Sequence, residues 1–203
     1  MNWKRSKNNW PISCKVEGKI IIVSAPSGAG KTSIVRRLMR AGLGLEFSVS
    51  AASRPPRPNE IDGKDYFFIS AEEFRGKIEN DELLEWQEVY QDQYYGTLKS
   101  EVDRIWNAGH HVLFDVDVLG GINLKNMYPD IALSLFIMPP SLKELEKRLR
   151  IRSTEDEKSL LKRLEKAEYE MTFSGKFDRI IINDILEDAV KQAIDSVNQY
   201  LKR

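Results

Sequence analysis

Ser24-Ala25-Pro26-Ser27-Gly28-Ala29-Gly30-Lys31-Thr32 stands between the apolar run Ile20-Ile21-Ile22-Val23 and a helix-like stretch from Thr32 to Ala41. The run is short, β-branched and wholly apolar, the pattern of a strand covered on both faces. A glycine-bearing turn between such a strand and a helix, closing on Gly30-Lys31-Thr32, fits the phosphate-binding pattern G-x-x-x-x-G-K-[ST]. Gly28 and Gly30 let the backbone approach a phosphate closely and turn its N–H groups inward. The helix N-terminus behind them adds partial positive charge. Ser27, Gly28, Ala29, Gly30, Lys31 and Thr32 are therefore candidate phosphate ligands, with Lys31 reaching the β- and γ-phosphates and the Thr32 hydroxyl suited to Mg2+. Ala25 replaces the first glycine of the pattern. That substitution bears on the tightness of the first turn and leaves the chemistry intact.

Outward from this loop, strands and helices alternate. Strands are expected at Phe47 to Ala51, Tyr66 to Ile69, Leu83 to Val89, Val112 to Asp117, Ile131 to Met138 and Arg179 to Asn183. Helices are expected at Ala71 to Asn80, about Leu98 to Ala108, Ser141 to Arg150, Ser159 to Met171 and Ile185 to Leu201. Alternation of this kind implies an α/β fold with a doubly wound parallel sheet, whose ligands bind beyond the carboxyl ends of the strands. Ser53 to Glu60 carries three prolines and must be irregular. The region from about Ser48 to Gly96 is richer in short strands and loops and reads as a small inserted lobe. Residues 1 to 17 are polar and aperiodic and read as a flexible extension.

With 203 residues the chain is long enough for one domain with small insertions and a core that needs no staples. Lysine plus arginine (31) balances aspartate plus glutamate (31), which argues against a nucleic-acid binder. A hydrophobic content of 41% argues against disorder. No apolar run approaches the ~20 residues that span a bilayer, so no membrane partner is expected. Cys14 is the only cysteine and His110 and His111 the only histidines, so neither a disulfide nor a protein-built metal cage is expected. No apolar segment follows the basic N-terminus, so a cytoplasmic location is expected.

Beyond the loop, five stretches carry a resemblance: Ser48-Val49-Ser50-Ala51-Ala52-Ser53-Arg54-Pro55-Pro56-Arg57, Asp62-Gly63-Lys64-Asp65-Tyr66-Phe67-Phe68, Glu85-Trp86, Tyr94-Tyr95-Gly96-Thr97 and Phe114-Asp115-Val116-Asp117-Val118. Together with the loop they resemble the guanylate kinase family, from about Lys19 to the C-terminus. The resemblance implies a P-loop kinase core at 18–203, with a GMP-binding lobe at about 48–96 and a mobile lid at about 150–163. Arg54 and Arg57 offer planar forks suited to a phosphate, and similarity to the family adds the hydroxyls of Ser50, Tyr66 and Tyr95. Guanine presents adjacent N1–H and N2–H₂ donors, which a carboxylate can accept together; adenine has no such pair on that edge. Glu85 matches the family residue in this role, with Thr97 and Asp117 as further guanine contacts.

Asp115 and Asp117, two apart on an apolar strand, share a face. Acids in such a place need a cation or donors, and Asp115 suits Mg2+. Arg148, Arg152 and Arg163 resemble the arginines of the family's lid, which neutralise charge in phosphoryl transfer, and Asn183 matches an adenine contact. Leu119 and Ser153 depart from the family's common glutamine and glycine. The implied reaction is ATP-dependent phosphorylation of GMP, and of dGMP, to the diphosphate with Mg2+, by a monomer or homodimer. Catalytic roles fall to Lys31, Arg54, Arg148, Arg152 and Arg163. Two alternatives stand beside it. One is a non-catalytic module of the same fold that binds phosphorylated peptides, against which Lys31 and Thr32 speak. The other is a kinase for an acceptor such as a ribose bisphosphate, which has no base for Glu85, Thr97 and Asp117 to read.

Overall fold

A computed structural model of the chain describes residues 4–5, 18–152 and 157–203. The elements in chain order are β1 (Lys4–Arg5), β2 (Ile20–Ser24), α1 (Lys31–Met39), β3 (Leu45–Phe47), β4 (Ser50–Ala52), β5 (Phe67–Phe68), α2 (Ala71–Glu79), β6 (Leu83–Tyr90) and β7 (Gln93–Leu98). They continue with α3 (Lys99–Asn107), β8 (His111–Asp115), α4 (Val118–Met127), β9 (Ala132–Met138), α5 (Leu142–Arg152), α6 (Glu157–Met171), a 3-10 turn at Ser174–Lys176, β10 (Arg179–Ile182) and α7 (Leu186–Leu201). The chain divides into two compact units and passes from one to the other between Gly18 and Lys19, within β3 and within β8.

One unit holds Lys19–Leu45 and Leu113–Arg203. Its sheet runs β10-β9-β2-β8, with β2 and β10 each parallel to β9. Ile20, Ile21, Ile22 and Val23 are all 0% exposed. Successive strand residues point to opposite faces, so both faces of β2 are covered, as its composition requires. Helix α4 packs on β2 and β9, and α7 packs on α1, β9 and β10.

Two local features here differ from the expectation. The strand expected to run to Asp117 ends at Asp115, because the Asp117 carboxylate accepts the Gly120 N–H at 2.7 Å and caps a new helix. Asp115 and Asp117 therefore do not share a strand face. That helix, α4, was not expected, since Gly120 and Gly121 weaken its propensity and its apolar residues lack a 3.6-residue period. Packing explains Gly121: a Cβ there would lie 2.3 Å from the Ser24 hydroxyl oxygen and 3.1 Å from the Phe177 ring.

The second unit holds Glu46–Val112 with Gly18 and the β1 strand. Its sheet runs β1-β6-β7-β4-β5. The single strand expected at Phe47 to Ala51 is two, β3 and β4, separated by Ser48 and Val49. β7, also unexpected, forms an antiparallel hairpin with β6. Of the extension at 1–17, only Lys4–Arg5 lies within the described residues, where it pairs antiparallel with β6.

Register decides what each face of this sheet carries. Ser50 pairs with Thr97, and Thr97 with Glu85; Ala52 pairs with Tyr95, and Tyr95 with Gln87. Directly opposed residues share a face, so Ser50, Thr97, Glu85, Tyr95 and Gln87 all lie on one side. Ala51, Phe67, Tyr94 and Trp86 lie on the other and pack with Phe74 of α2 and with Leu83. Ser70 starts α2 with a reciprocal cap, its hydroxyl accepting the Glu73 N–H at 3.1 Å while Glu73 accepts the Ser70 N–H at 2.7 Å.

Candidate active site

In the parallel-sheet unit, the Ser24–Thr32 loop joins the carboxyl end of β2 to the first turn of α1. Gly28 and Gly30 have φ of 90° and 96°, in the region that favours glycine. Ala25 has no positive φ, so the first turn takes alanine without backbone strain. Gly30 is also constrained sterically, since a Cβ would lie 2.2 Å from the Asn183 amide nitrogen. That nitrogen donates to the Ala29 carbonyl at 2.7 Å, and the Asn183 carbonyl accepts from Arg148 Nη1 at 2.9 Å. Arg148 is itself held by Glu144 one turn earlier, at 3.1 Å. Asn183 and Arg148 thus brace the loop from behind.

Lys31 Nζ donates to the Val116 carbonyl at 2.8 Å and is ion-paired with Asp115. Thr32 is exposed. Arg163 Nη2 donates to the Ser27 hydroxyl at 2.8 Å. A cavity of about 510 Å³ opens over the loop, with Lys31, Thr32, Asp117, Arg163, Lys166 and Glu170 in its lining. A second hollow of about 470 Å³ lies beside Gly28, Thr32, Arg36, Arg148 and Ile151. Lys166 and Glu170 were not singled out from sequence, where α6 reads as ordinary surface charge. Their signal is spacing: with Arg163 they recur at three and four residues along one face of α6. Burial pushes the Glu170 carboxyl above its usual range, and nearby Asp117 adds to this against Lys166 and Lys31. The side chain of Arg152, and Ser153, lie outside the described residues.

In the lobe unit, Glu85 and Thr97 are 4% and 0% exposed, and the Thr97 hydroxyl donates to Glu85 Oε1 at 2.6 Å. Tyr95, two residues along β7, brings its hydroxyl to Arg54 Nε at 2.9 Å. Arg54 is only 10% exposed and stands over the rings of Tyr66, Phe68 and Tyr95, 5.2 to 6.0 Å from their centroids. Arg57 lies in the adjoining loop with its side chain exposed. The lobe therefore brings together Ser50, Arg54, Tyr66, Glu85, Tyr95 and Thr97. Asp117 belongs to the other unit, over the phosphate-binding loop. Gln87, buried on the platform face, was missed because its neighbourhood depends on strand register.

Among the described residues no cluster of three His, Cys, Asp or Glu could hold a metal ion. The oxygens of Thr32 and Asp115 are hard donors of the kind Mg2+ takes, and a Mg2+ ion draws its remaining ligands from phosphates and water.

A glycine loop with an invaginated lysine, set between a parallel strand and a helix in an α/β sheet, defines a P-loop nucleotide-binding protein. The guanylate kinase family model matches residues 17–200. The chain is 49% identical over 196 residues to the guanylate kinase of Bacteroides thetaiotaomicron, covering 96% of each, and 51% identical over 185 residues to that of Bacteroides fragilis, covering 91% of each. Its fold matches the crystal structure of guanylate kinase from Anaplasma phagocytophilum with a TM-score of 0.72 at 27% identity, covering 93% of this chain and 89% of that one. The chain belongs to the guanylate kinase family.

Proposed function

We propose that the chain transfers the terminal phosphoryl group of ATP to GMP, giving ADP and GDP, with dGMP as a further acceptor. The observation that carries the acceptor assignment is the lobe's platform. A buried carboxylate, Glu85, is fixed by Thr97 on the same sheet face as the hydroxyl of Tyr95, which holds Arg54. One end of that platform suits the guanine edge and the other a phosphate.

In this reading the loop amides at 28–32 and Lys31 bind the ATP phosphates, and Arg148 and Asn183 keep the loop in shape. Asn183 and the hollow beside Arg148 receive the adenine end. Arg54, Arg57, Tyr66, Tyr95 and Ser50 hold the GMP phosphate, while Glu85 and Thr97 read guanine. Arg163, Arg148 and Arg152 offset the charge that spreads over the equatorial oxygens as the phosphoryl group moves. Thr32 and Asp115 would hold Mg2+, which when bound supplies further charge neutralisation on the phosphate oxygens. The acceptor oxygen is already an anion near neutral pH, so positioning and charge do the work that a general base does elsewhere. A binding module without catalysis has no use for Lys31 and Thr32. Cytoplasmic location belongs to the same reading.

The test is a panel of GMP, dGMP, AMP, CMP and UMP with ATP and Mg2+, following ADP release. ADP release that depends on GMP and dGMP and exceeds that with AMP is the expected result. Equal rates across the panel, or none with GMP, would refute the reading.

A further inference from the structure

In the proline-rich loop between β4 and β5, one carboxylate organises both arginines. Glu60 Oε2 accepts from Arg54 Nη1 at 2.6 Å, and Glu60 Oε1 accepts from Arg54 Nη2 at 2.8 Å. The same Oε2 also accepts the backbone N–H of Arg57 at 2.7 Å. The loop is closed further by the Glu60 N–H donating to the Arg57 carbonyl at 3.0 Å. Arg54 Nη1 spends its other hydrogen on the Pro55 carbonyl at 2.9 Å, and Nε is met by the Tyr95 hydroxyl. Glu60 is 18% exposed and Arg54 10%. Hydrogen bonds from Arg54, then from the Arg57 backbone, hold the Glu60 carboxyl down at about 2, so it stays ionised at any working pH.

Two opposite roles are conceivable for such an anion. It could occupy the place of a substrate phosphate and have to leave, or it could hold the guanidinium in the attitude the phosphate requires. The division of the fork decides between them. Glu60 takes the end-on edge, Nη1 with Nη2. The side-on edge, Nε with the remaining Nη2 hydrogen, faces the Tyr95 hydroxyl, which is itself a phosphate candidate. The one Nε hydrogen is given to the Tyr95 hydroxyl, so a phosphate can reach Arg54 through the remaining Nη2 hydrogen and Tyr95 through its own O–H while Glu60 stays in place, and the three aromatic rings leave the guanidinium little other freedom.

We infer that Glu60 is a positioning residue for the GMP phosphate: it clamps Arg54 end-on and pins the Arg57 backbone, so that the side-on edge of Arg54, the Tyr95 hydroxyl and the Arg57 guanidinium converge on one anion. The inference rests on the GMP assignment above. It predicts that Glu60 acts on the phosphate and leaves the nucleoside alone.

The experiment compares the full chain with Glu60→Gln and Glu60→Asp. It measures KM for GMP and ATP, inhibition by guanosine, which lacks the phosphate, and the melting midpoint. Glu60→Gln is close in shape but turns an amide donor toward donors. Its KM for GMP should rise about tenfold or more, the loss expected of a charge-assisted bidentate contact, with guanosine inhibition and the KM for ATP within about twofold. Glu60→Asp, which keeps the charge but cannot span the fork, should lie between and keeps the test open should the glutamine variant fold poorly. A GMP KM that stays level or falls would mean Glu60 merely stands in for the phosphate, and would overturn the inference. Equal weakening of GMP and guanosine would overturn it too, by making Glu60 a scaffold residue only. A wild-type chain that does not phosphorylate GMP is the failure of the underlying assignment, is visible before any variant is made, and removes the inference with it.

Discussion

Glu85→Gln tests the base-reading role proposed for Glu85. Glu85 is 4% exposed, and one carboxylate oxygen is already engaged by the Thr97 hydroxyl at 2.6 Å. Glutamine keeps one acceptor oxygen, which can continue to serve Thr97, so the fold loses little and the melting midpoint should move by no more than a few degrees. What disappears is the second acceptor and the charge presented to guanine N1–H and N2–H₂. A hydrogen bond to a charged group contributes about 1.5–3 kcal/mol; at about 1.4 kcal/mol per decade, that is roughly a 10- to 150-fold loss in kcat/KM for GMP. AMP has no donor pair on that edge, so its kcat/KM should stay within about threefold, and the GMP-to-AMP preference should fall by nearly the whole factor. The assay is coupled ADP release with each acceptor at subsaturating concentration. A preference unchanged by the substitution, or an equal fall for both acceptors, would show that Glu85 supports the hairpin and does not read the base.

Lys31→Met should lower kcat about 100- to 1,000-fold, the cost of removing one preorganised charge-stabilising donor, with GMP binding measured by calorimetry nearly unchanged; retained turnover would dissociate the loop from catalysis. Gly121→Ala forces a Cβ to within 2.3 Å of Ser24 Oγ and should destabilise by about 1–3 kcal/mol. That corresponds to a melting midpoint lower by roughly 2–12 °C, and an unshifted midpoint would show that α4 does not pack as described. Glu170 has its carboxyl raised by burial, so the fold prefers the protonated form. Its favourable contribution is present below the ordinary glutamate range and is lost as pH rises through the raised value. Glu170→Gln should therefore melt above wild type at neutral pH, with the gap closing on acidification; a pH-independent gap would contradict the burial.

The phosphate-binding loop was legible because its demands are local: two glycines at positive φ, a lysine and a hydroxyl at fixed spacing, and a strand–helix frame on either side. Lobe residues are a different case. Arg54, Tyr95 and Glu85 are scattered over some forty positions, and only a resemblance assembled them before register put Glu85 and Tyr95 on one sheet face, where Arg54 reaches the Tyr95 hydroxyl from the loop after β4. Helix α4 was hidden by Gly120 and Gly121, the second of which is explained by the close approach of Ser24 and Phe177. The Asp117 cap could have been read as an N-cap signal; the apolar run before it suggested a longer strand instead. Glu60 was passed over as one more polar residue in a proline-rich loop, since its role depends on that loop folding back on itself.

Lys31 and Arg54 share a design that bears on how a phosphate site is kept ready. Each is paired with a carboxylate from its own unit, Asp115 for Lys31 and Glu60 for Arg54. A half-buried cation without such a partner would carry a desolvation cost and would sample many rotamers. Pairing removes both burdens before substrate arrives, so less ordering is charged against binding. The pairing also neutralises some of the charge a phosphate would otherwise meet. Neutral donors must supply the difference: main-chain amides beside Lys31, and the Tyr95 hydroxyl beside Arg54. This is why deleting a partner acid does not simply unmask a cation. Removing Glu60 frees positive charge at the proposed phosphate site but returns Arg54 to a set of orientations of which few face Tyr95. The geometric loss exceeds the Coulombic gain, because that gain is screened at a surface loop, whereas a directed N–H···O contact fails once the guanidinium plane is turned.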